Sequence, residues 1–103
     1  MFFDLNPAPT FRSTVQISQP GGGHRPLTLV FRHKTKSQLD AFCADRQGSD
    51  ADMAADIVES VPEKPPEMPQ EQFFKELFEN FPASALDIYL AYVRELREAR
   101  VKN

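Results

Sequence analysis

From Phe11 to Ser18 the side chains alternate in character. Phe11, Ser13, Val15 and Ile17 fall on one side, Arg12, Thr14, Gln16 and Ser18 on the other. A period of two marks a strand with one buried face. The alternation resumes with Leu27, Leu29 and Phe31 on one side and Thr28, Val30 and Arg32 on the other. Between the two runs, Gln19 to Pro26 is turn material with three consecutive glycines free to adopt positive φ. The two strands read as a β-hairpin, with a loop too long to fix the register.

After Lys34 the period changes. Thr35 followed by Gln38 reads as a capping box, with Leu39, Phe42 and Cys43 at helical spacing and Gly48 as a C-terminal stop. Ser49 and Asp52 repeat the capping pattern. Met53, Ile57 and Val61 then recur every fourth residue beside Ala54 and Val58, so a second amphipathic helix is expected up to Pro62. Residues 62–69 hold four prolines, a density that excludes helix or central strand and predicts a stiff, extended connector. Pro69 suits the first turn of a third helix, where Phe73, Phe74, Leu77, Phe78 and Phe81 form a dense apolar stripe. Pro82 breaks the run. A fourth helix is expected from Ala83 to Val101, with Ala85, Ile88, Tyr89, Tyr92, Val93, Leu96 and Ala99 on one face. Asp87, Arg94 and Glu98 lie opposite, and Leu86 and Leu90 on the flank.

The pattern predicts an α+β fold in one domain. Residues 1–34 form an extended lead-in and β-hairpin, 35–61 two short helices, 62–68 the connector, and 69–101 two C-terminal helices in an aromatic-rich helical hairpin. Pro7 and Pro9 keep the lead-in extended. Phe2, Phe3 and Leu5 either pack back onto the body or serve a partner; packing is the default for an apolar terminus.

Composition changes this picture little. The chain has 103 residues, 41% of them hydrophobic and 26% charged, as globular domains do. At this length roughly 60–65% of the unfolded surface is buried, leaving little room for an enclosed active site. The net charge of −3 argues against nucleic acid as a partner. The short basic clusters, Arg32 to Lys36 and Arg94 to Lys102, read as solvated surface. The one cysteine excludes an internal disulfide and fits a reducing compartment. Met1 to Leu5 lacks the basic flank of a signal peptide, and no apolar run approaches a membrane span. A cytoplasmic location is expected.

No constellation carries chemistry. His24 and His33 have no second ligand at metal-site spacing, so exposed loop histidines are the simpler reading. Gly21-Gly22-Gly23 leads into a strand and lacks the Lys-Ser/Thr or helix start of a phosphate cradle. Cys43 lacks a histidine partner and reads as a small buried hydrophobe. Asp52, Asp56 and Glu59 share a polar helix face, where acid–base work would require burial. Catalytic, cofactor and metal residues are therefore expected to be none, and the protein a non-enzymatic binding module.

Several short motifs recur in a familiar order: Pro7-Ala8-Pro9-Thr10-Phe11, Ile17-Ser18-Gln19-Pro20-Gly21-Gly22, Phe31-Arg32-His33-Lys34-Thr35, Leu39-Asp40-Ala41-Phe42, Phe81-Pro82-Ala83-Ser84-Ala85, Ile88-Tyr89, Ala91-Tyr92 and Glu95-Leu96. In this arrangement, which spans nearly the whole chain, the sequence resembles the tail assembly chaperones of long-tailed phages and prophages. It departs after the second helix, where similar proteins often carry a tryptophan and this chain has Ser60-Val61-Pro62. The resemblance implies binding of the tail tape measure protein in the host bacterial cytoplasm before tail tube subunits polymerise around it. Such chaperones keep their client soluble and are absent from the virion. The tail tube protein is a further implied partner, and a homo-oligomer is possible through the hairpin edge.

Holding such a client needs exposed apolar surface, and the last two helices supply the most. Phe74, Leu77, Tyr89, Val93 and Leu96 are expected to build the core. Phe73, Phe78, Leu86, Leu90 and Tyr92, on the stripe edges, are the candidate partner-binding residues, tyrosine because its ring buries while its hydroxyl stays wet. The rival readings are a tail completion or joining protein retained in the virion, and an unrelated protein-binding adaptor.

Overall fold

A computed structural model describes residues 1–45 and 48–98. Its centre is a three-stranded antiparallel sheet in the order β1-β2-β3. β1 (Thr10–Ser18) pairs with β2 (His24–Arg32) along its whole length, from Thr10 opposite Arg32 to Ser18 opposite His24. β2 thus begins at His24 rather than Leu27, and the loop shrinks to residues 19–23. Gly22 N–H donates to the Gln19 carbonyl at 3.0 Å, with Pro20 second and Gly21 third at φ +87°. That is the residue pattern of a type II turn, which demands positive φ at its third position. Pro26 is tolerated inside β2 because of register. Gln19 and Gly23 form a hydrogen-bonded pair, and ladder bonds alternate from there. Pro26, opposite Gln16, falls on a pair whose amides face away from each other, so its missing N–H breaks no β1–β2 bond.

The alternation holds. Ser13, Val15, Ile17, Leu29 and Phe31 are buried on one face, while Thr14 and Thr28 meet on the other with hydroxyl oxygens 3.3 Å apart.

The second helix is shorter than its spacing indicated. α2 (Asp50–Ile57) ends directly in β3 (Val58–Ser60), which pairs with β2 through Val30–Ser60 and Phe31–Val58 across an irregularity in register. Val58 is extended at φ −104°, ψ 119°, though its N–H still closes the last helical turn on the Ala54 carbonyl. The β-branched pair Ile57-Val58 favours this switch, and both side chains are fully buried. Beyond Ser60 the chain leaves the sheet, and Glu63 Oε1 accepts the Thr28 N–H at 2.6 Å where a further strand residue would have.

Both capping boxes are present. Thr35 Oγ1 accepts the Gln38 N–H and Gln38 Oε1 the Thr35 N–H at the start of α1 (Lys36–Ala44). Ser49 and Asp52 do the same for α2. Gly48 is not the stop of α1, which ends at Ala44; at φ +95° it leads into the N-cap of α2. The connector is also not extended. It makes two turns, pinned by Lys64 Nζ donating to the carbonyls of Pro65 and Met68 at 3.2 and 2.6 Å.

Pro69 is the N-cap of α3 (Gln70–Asn80) rather than a residue of its first turn. α4 (Ser84–Arg97) starts one residue later than expected and ends at Arg97; Ala99 and Val101 lie outside the described residues. These two helices are aromatic-rich. Each packs chiefly elsewhere, α4 on β1 and α3 on α2, and less on the other. One hydrophobic cluster draws from every element, including Val15, Leu29, Val58, Leu39, Ile57, Phe74 and Ile88.

Candidate partner-binding surface

On α4 the fully buried row is Ser84, Ile88 and Tyr92, spaced four apart. Ser84 fits because it is small and its hydroxyl has acceptors. Its Oγ donates to the Phe81 carbonyl at 2.7 Å and contacts that of Leu77 at 3.3 Å, two carbonyls at the end of α3 that also accept the Ser84 and Phe81 N–H groups. The helix is fixed to the sheet by Asp87, whose carboxylate accepts the Ser18 N–H at 2.7 Å and the Ser18 hydroxyl at 3.1 Å.

Tyr92 is therefore not at the edge of the stripe. Its ring packs against Phe31 and Phe42 at centroid distances of 5.0 and 5.7 Å, and its hydroxyl donates to the Arg32 carbonyl at 2.6 Å. Burial, reinforced by the negative charge of Asp56, raises its phenol well above the ordinary range. A residue that makes these contacts offers nothing to a partner.

The other four candidates divide. Leu86 is 59% and Leu90 41% exposed, one turn apart on α4. Phe73 and Phe78 are half-buried, their rings 5.5 and 5.6 Å from that of buried Phe74. Of the expected core residues, Phe74 is buried, whereas Leu77, Tyr89, Val93 and Leu96 are half-buried and pack against the core from outside.

The structure adds two apolar surfaces. Phe2, Phe3 and Leu5 do not pack back; they are 92%, 85% and 83% exposed. Pro7 and Pro9 keep the lead-in from folding back, and the Pro9 carbonyl accepts the His33 N–H at 2.9 Å, so the arm leaves the sheet as an extension of β1. The second surface is a cleft of about 350 Å³ between the turn end of the hairpin and α3, walled by Ile17, Leu27, Phe73, Leu77 and Phe81. Sequence spacing could not reveal it, because its walls are far apart in the chain.

Several charged residues are engaged structurally. Arg32 pairs with Glu59 at 2.7 Å and Lys34 with Asp56 at 3.1 Å, so the first basic cluster faces the protein's own carboxylates. Asp40 is bonded by Lys36 and by Arg97, which hold its carboxyl below the ordinary value. His24 is exposed, while His33 and Cys43 are half-buried. Among the described residues no group of three or more His, Cys, Asp or Glu is placed to hold a metal ion, and no helix is long and apolar enough to cross a membrane.

What stands out is a small α+β protein with a well-packed core and uncovered apolar surface in three places. Its family is shown by comparison: residues 1–103 match the family model described as phage tail assembly chaperone, and the chain belongs to that family. That membership points to phage tail proteins as partners. No curated protein and no solved structure matches the chain.

Proposed function

We propose that this chaperone binds the tail tape measure protein as it is made and keeps it soluble until tube subunits assemble around it, then stays out of the virion. It acts in the host cytoplasm as a binding protein without enzymatic activity. The observation that carries this reading is the exposure of Phe2, Phe3, Leu5, Leu86 and Leu90 in a chain that belongs to a tail chaperone family. Large apolar side chains left in water are what a transient holder of apolar segments requires. Leu86 and Leu90, spaced four apart, present the stripe that one helix offers another.

Two measurements test it together. Pull-down from cells assembling tails is expected to recover the tape measure protein with this chain, and mass spectrometry of purified virions to find no trace of the chain. Its recovery in virions at stoichiometric amount would favour a completion or joining protein instead.

A further inference from the structure

A helix that serves only its own core needs an apolar stripe on one side; α4 carries two. Ser84, Ile88 and Tyr92 form the buried row against the rest of the fold. On the opposite side Leu86, Leu90, Val93 and Arg97 follow one another at steps of four, three and four residues. That is the spacing of a coiled-coil seam. Leu86 and Leu90 are exposed and Val93 is half-buried. The Arg97 side chain is 48% exposed, with its head group 3.2 Å from Asp40. The stem of such an arginine covers apolar surface while its charge stays in water.

Two rows border the seam. One holds Asp87 and Arg94, the other Tyr89 and Leu96, each pair one heptad apart. The two oxygens of Asp87 each accept one bond from Ser18, which leaves further lone pairs open. Arg94 is exposed, and among the described residues no carboxylate pairs with its side chain. Tyr89 and Leu96 are half-buried, and the Tyr89 ring lies 5.6 Å from that of Phe42.

This pattern is complementary to itself. A second copy of α4 can be set antiparallel about a two-fold axis level with the Ala91–Tyr92 bond. Leu90 then lies opposite Val93 of the second copy, and Leu86 opposite Arg97 of the second copy. On one flank Asp87 meets Arg94, on the other Tyr89 meets Leu96, and symmetry makes each pair twice. A parallel pair loses this match: Arg97 faces its own copy in the seam, and neither flank joins opposite charges. Charge against charge on one flank and apolar against apolar on the other select a second copy as the occupant.

We propose that α4 pairs antiparallel with α4 of a second copy through Leu86, Leu90, Val93 and the stem of Arg97, with Asp87–Arg94 ion pairs along one flank. The seam is about 17 Å long at 1.5 Å per residue, so the interface is small and the dimer weak and reversible. The pairing covers the two leucines that the proposed function gives to the client, so a client helix has to displace the second copy. That consequence rests on the chaperone reading; the pairing does not.

Sedimentation equilibrium of the full chain tests the pairing. The dimer fraction is expected to rise between about 0.01 and about 1 mM protein, the range of a small interface. Arg94→Glu sets like charges together twice and is expected to weaken the dimer about tenfold at low salt, with the circular dichroism spectrum unchanged. Leu90→Glu is expected to leave only monomer. Orientation is read by cross-linking in a Cys43→Ala background. A mixture of Leu90→Cys and Val93→Cys chains, mildly oxidised, is expected to give the mixed dimer in excess over either self-dimer. A monomer throughout that range, an Arg94→Glu dimer as tight as wild type, or an excess of self-dimers overturns the proposal. So does a dimer that survives Leu90→Glu, which would place the contact elsewhere, such as on the free edge of β1. A monomer that still captures the tape measure protein overturns the pairing and leaves the chaperone reading standing. A dimer with the expected variant behaviour that captures no tail protein sustains the pairing and counts against that reading.

Discussion

The hydroxyl of Tyr92 donates to the carbonyl oxygen of Arg32 at 2.6 Å, joining the last helix to the end of β2 inside the core. Arg32 also reaches outward, through Nε to Glu59 and through Nη1 to the Ala55 carbonyl at 2.6 Å. One residue thus ties the sheet to α4 on one side and to the end of α2 on the other.

Tyr92→Phe keeps the ring and leaves that carbonyl without its donor. Loss of about 1–3 kcal/mol is expected, since an orphaned buried acceptor carries its full desolvation penalty. Denaturant unfolding checks it, with the midpoint shifted and the slope unchanged.

The same residue sets an alkaline limit. Its phenol is raised in the folded protein, by burial first and Asp56 second, so the folded state holds the proton where the unfolded state releases it. The stabilisation is whole below the unfolded value near 10 and declines as pH rises beyond it, by about 1.4 kcal/mol per pH unit. Unfolding followed between about pH 9 and 11 is expected to show this decline in wild type, and the Tyr92→Phe variant to lack it.

Asp87→Ala removes both bonds to Ser18 and frees the start of α4 from the turn end of the sheet. A loss of about 1.5–3 kcal/mol is expected for these charge-assisted contacts. Amide exchange is expected to accelerate first at Ser18 and in the first turns of α4.

Gly48→Ala tests the entry to α2. At φ +95° an added Cβ would lie 2.8 Å from the Asp52 carboxylate that completes the capping box. Left-handed strain and a damaged cap together are expected to lower stability by about 1–3 kcal/mol, seen as a lower Tm.

The features legible in the sequence are those set by near neighbours. The period-2 runs fixed which faces of β1 and β2 are buried, and Thr35–Gln38 and Ser49–Asp52 marked two helix starts, because a capping box is complete within four residues. β3 was hidden because Val58 and Val61 continue the helical spacing of Met53 and Ile57; pairing with Val30 and Phe31, remote in sequence, overrides it. The same holds for Tyr92. Its amphipathic character suited a wet interface, but its hydroxyl finds the Arg32 carbonyl, sixty positions away. Leu86 and Leu90 lay on the flank of the stripe and are exposed, whereas the cleft is made by three segments meeting and has no local signature.

The most direct test of client holding is the soluble fraction of the tape measure protein when co-expressed with this chain or with a Leu86→Glu, Leu90→Glu variant. Both positions are exposed, so the variant is expected to fold within about 0.5 kcal/mol of wild type. Wild type is expected to keep the tape measure protein in the supernatant and co-purify with it, and the variant to leave more of it in the pellet. A tape measure protein equally soluble and unbound with wild type, variant or neither would contradict the chaperone function.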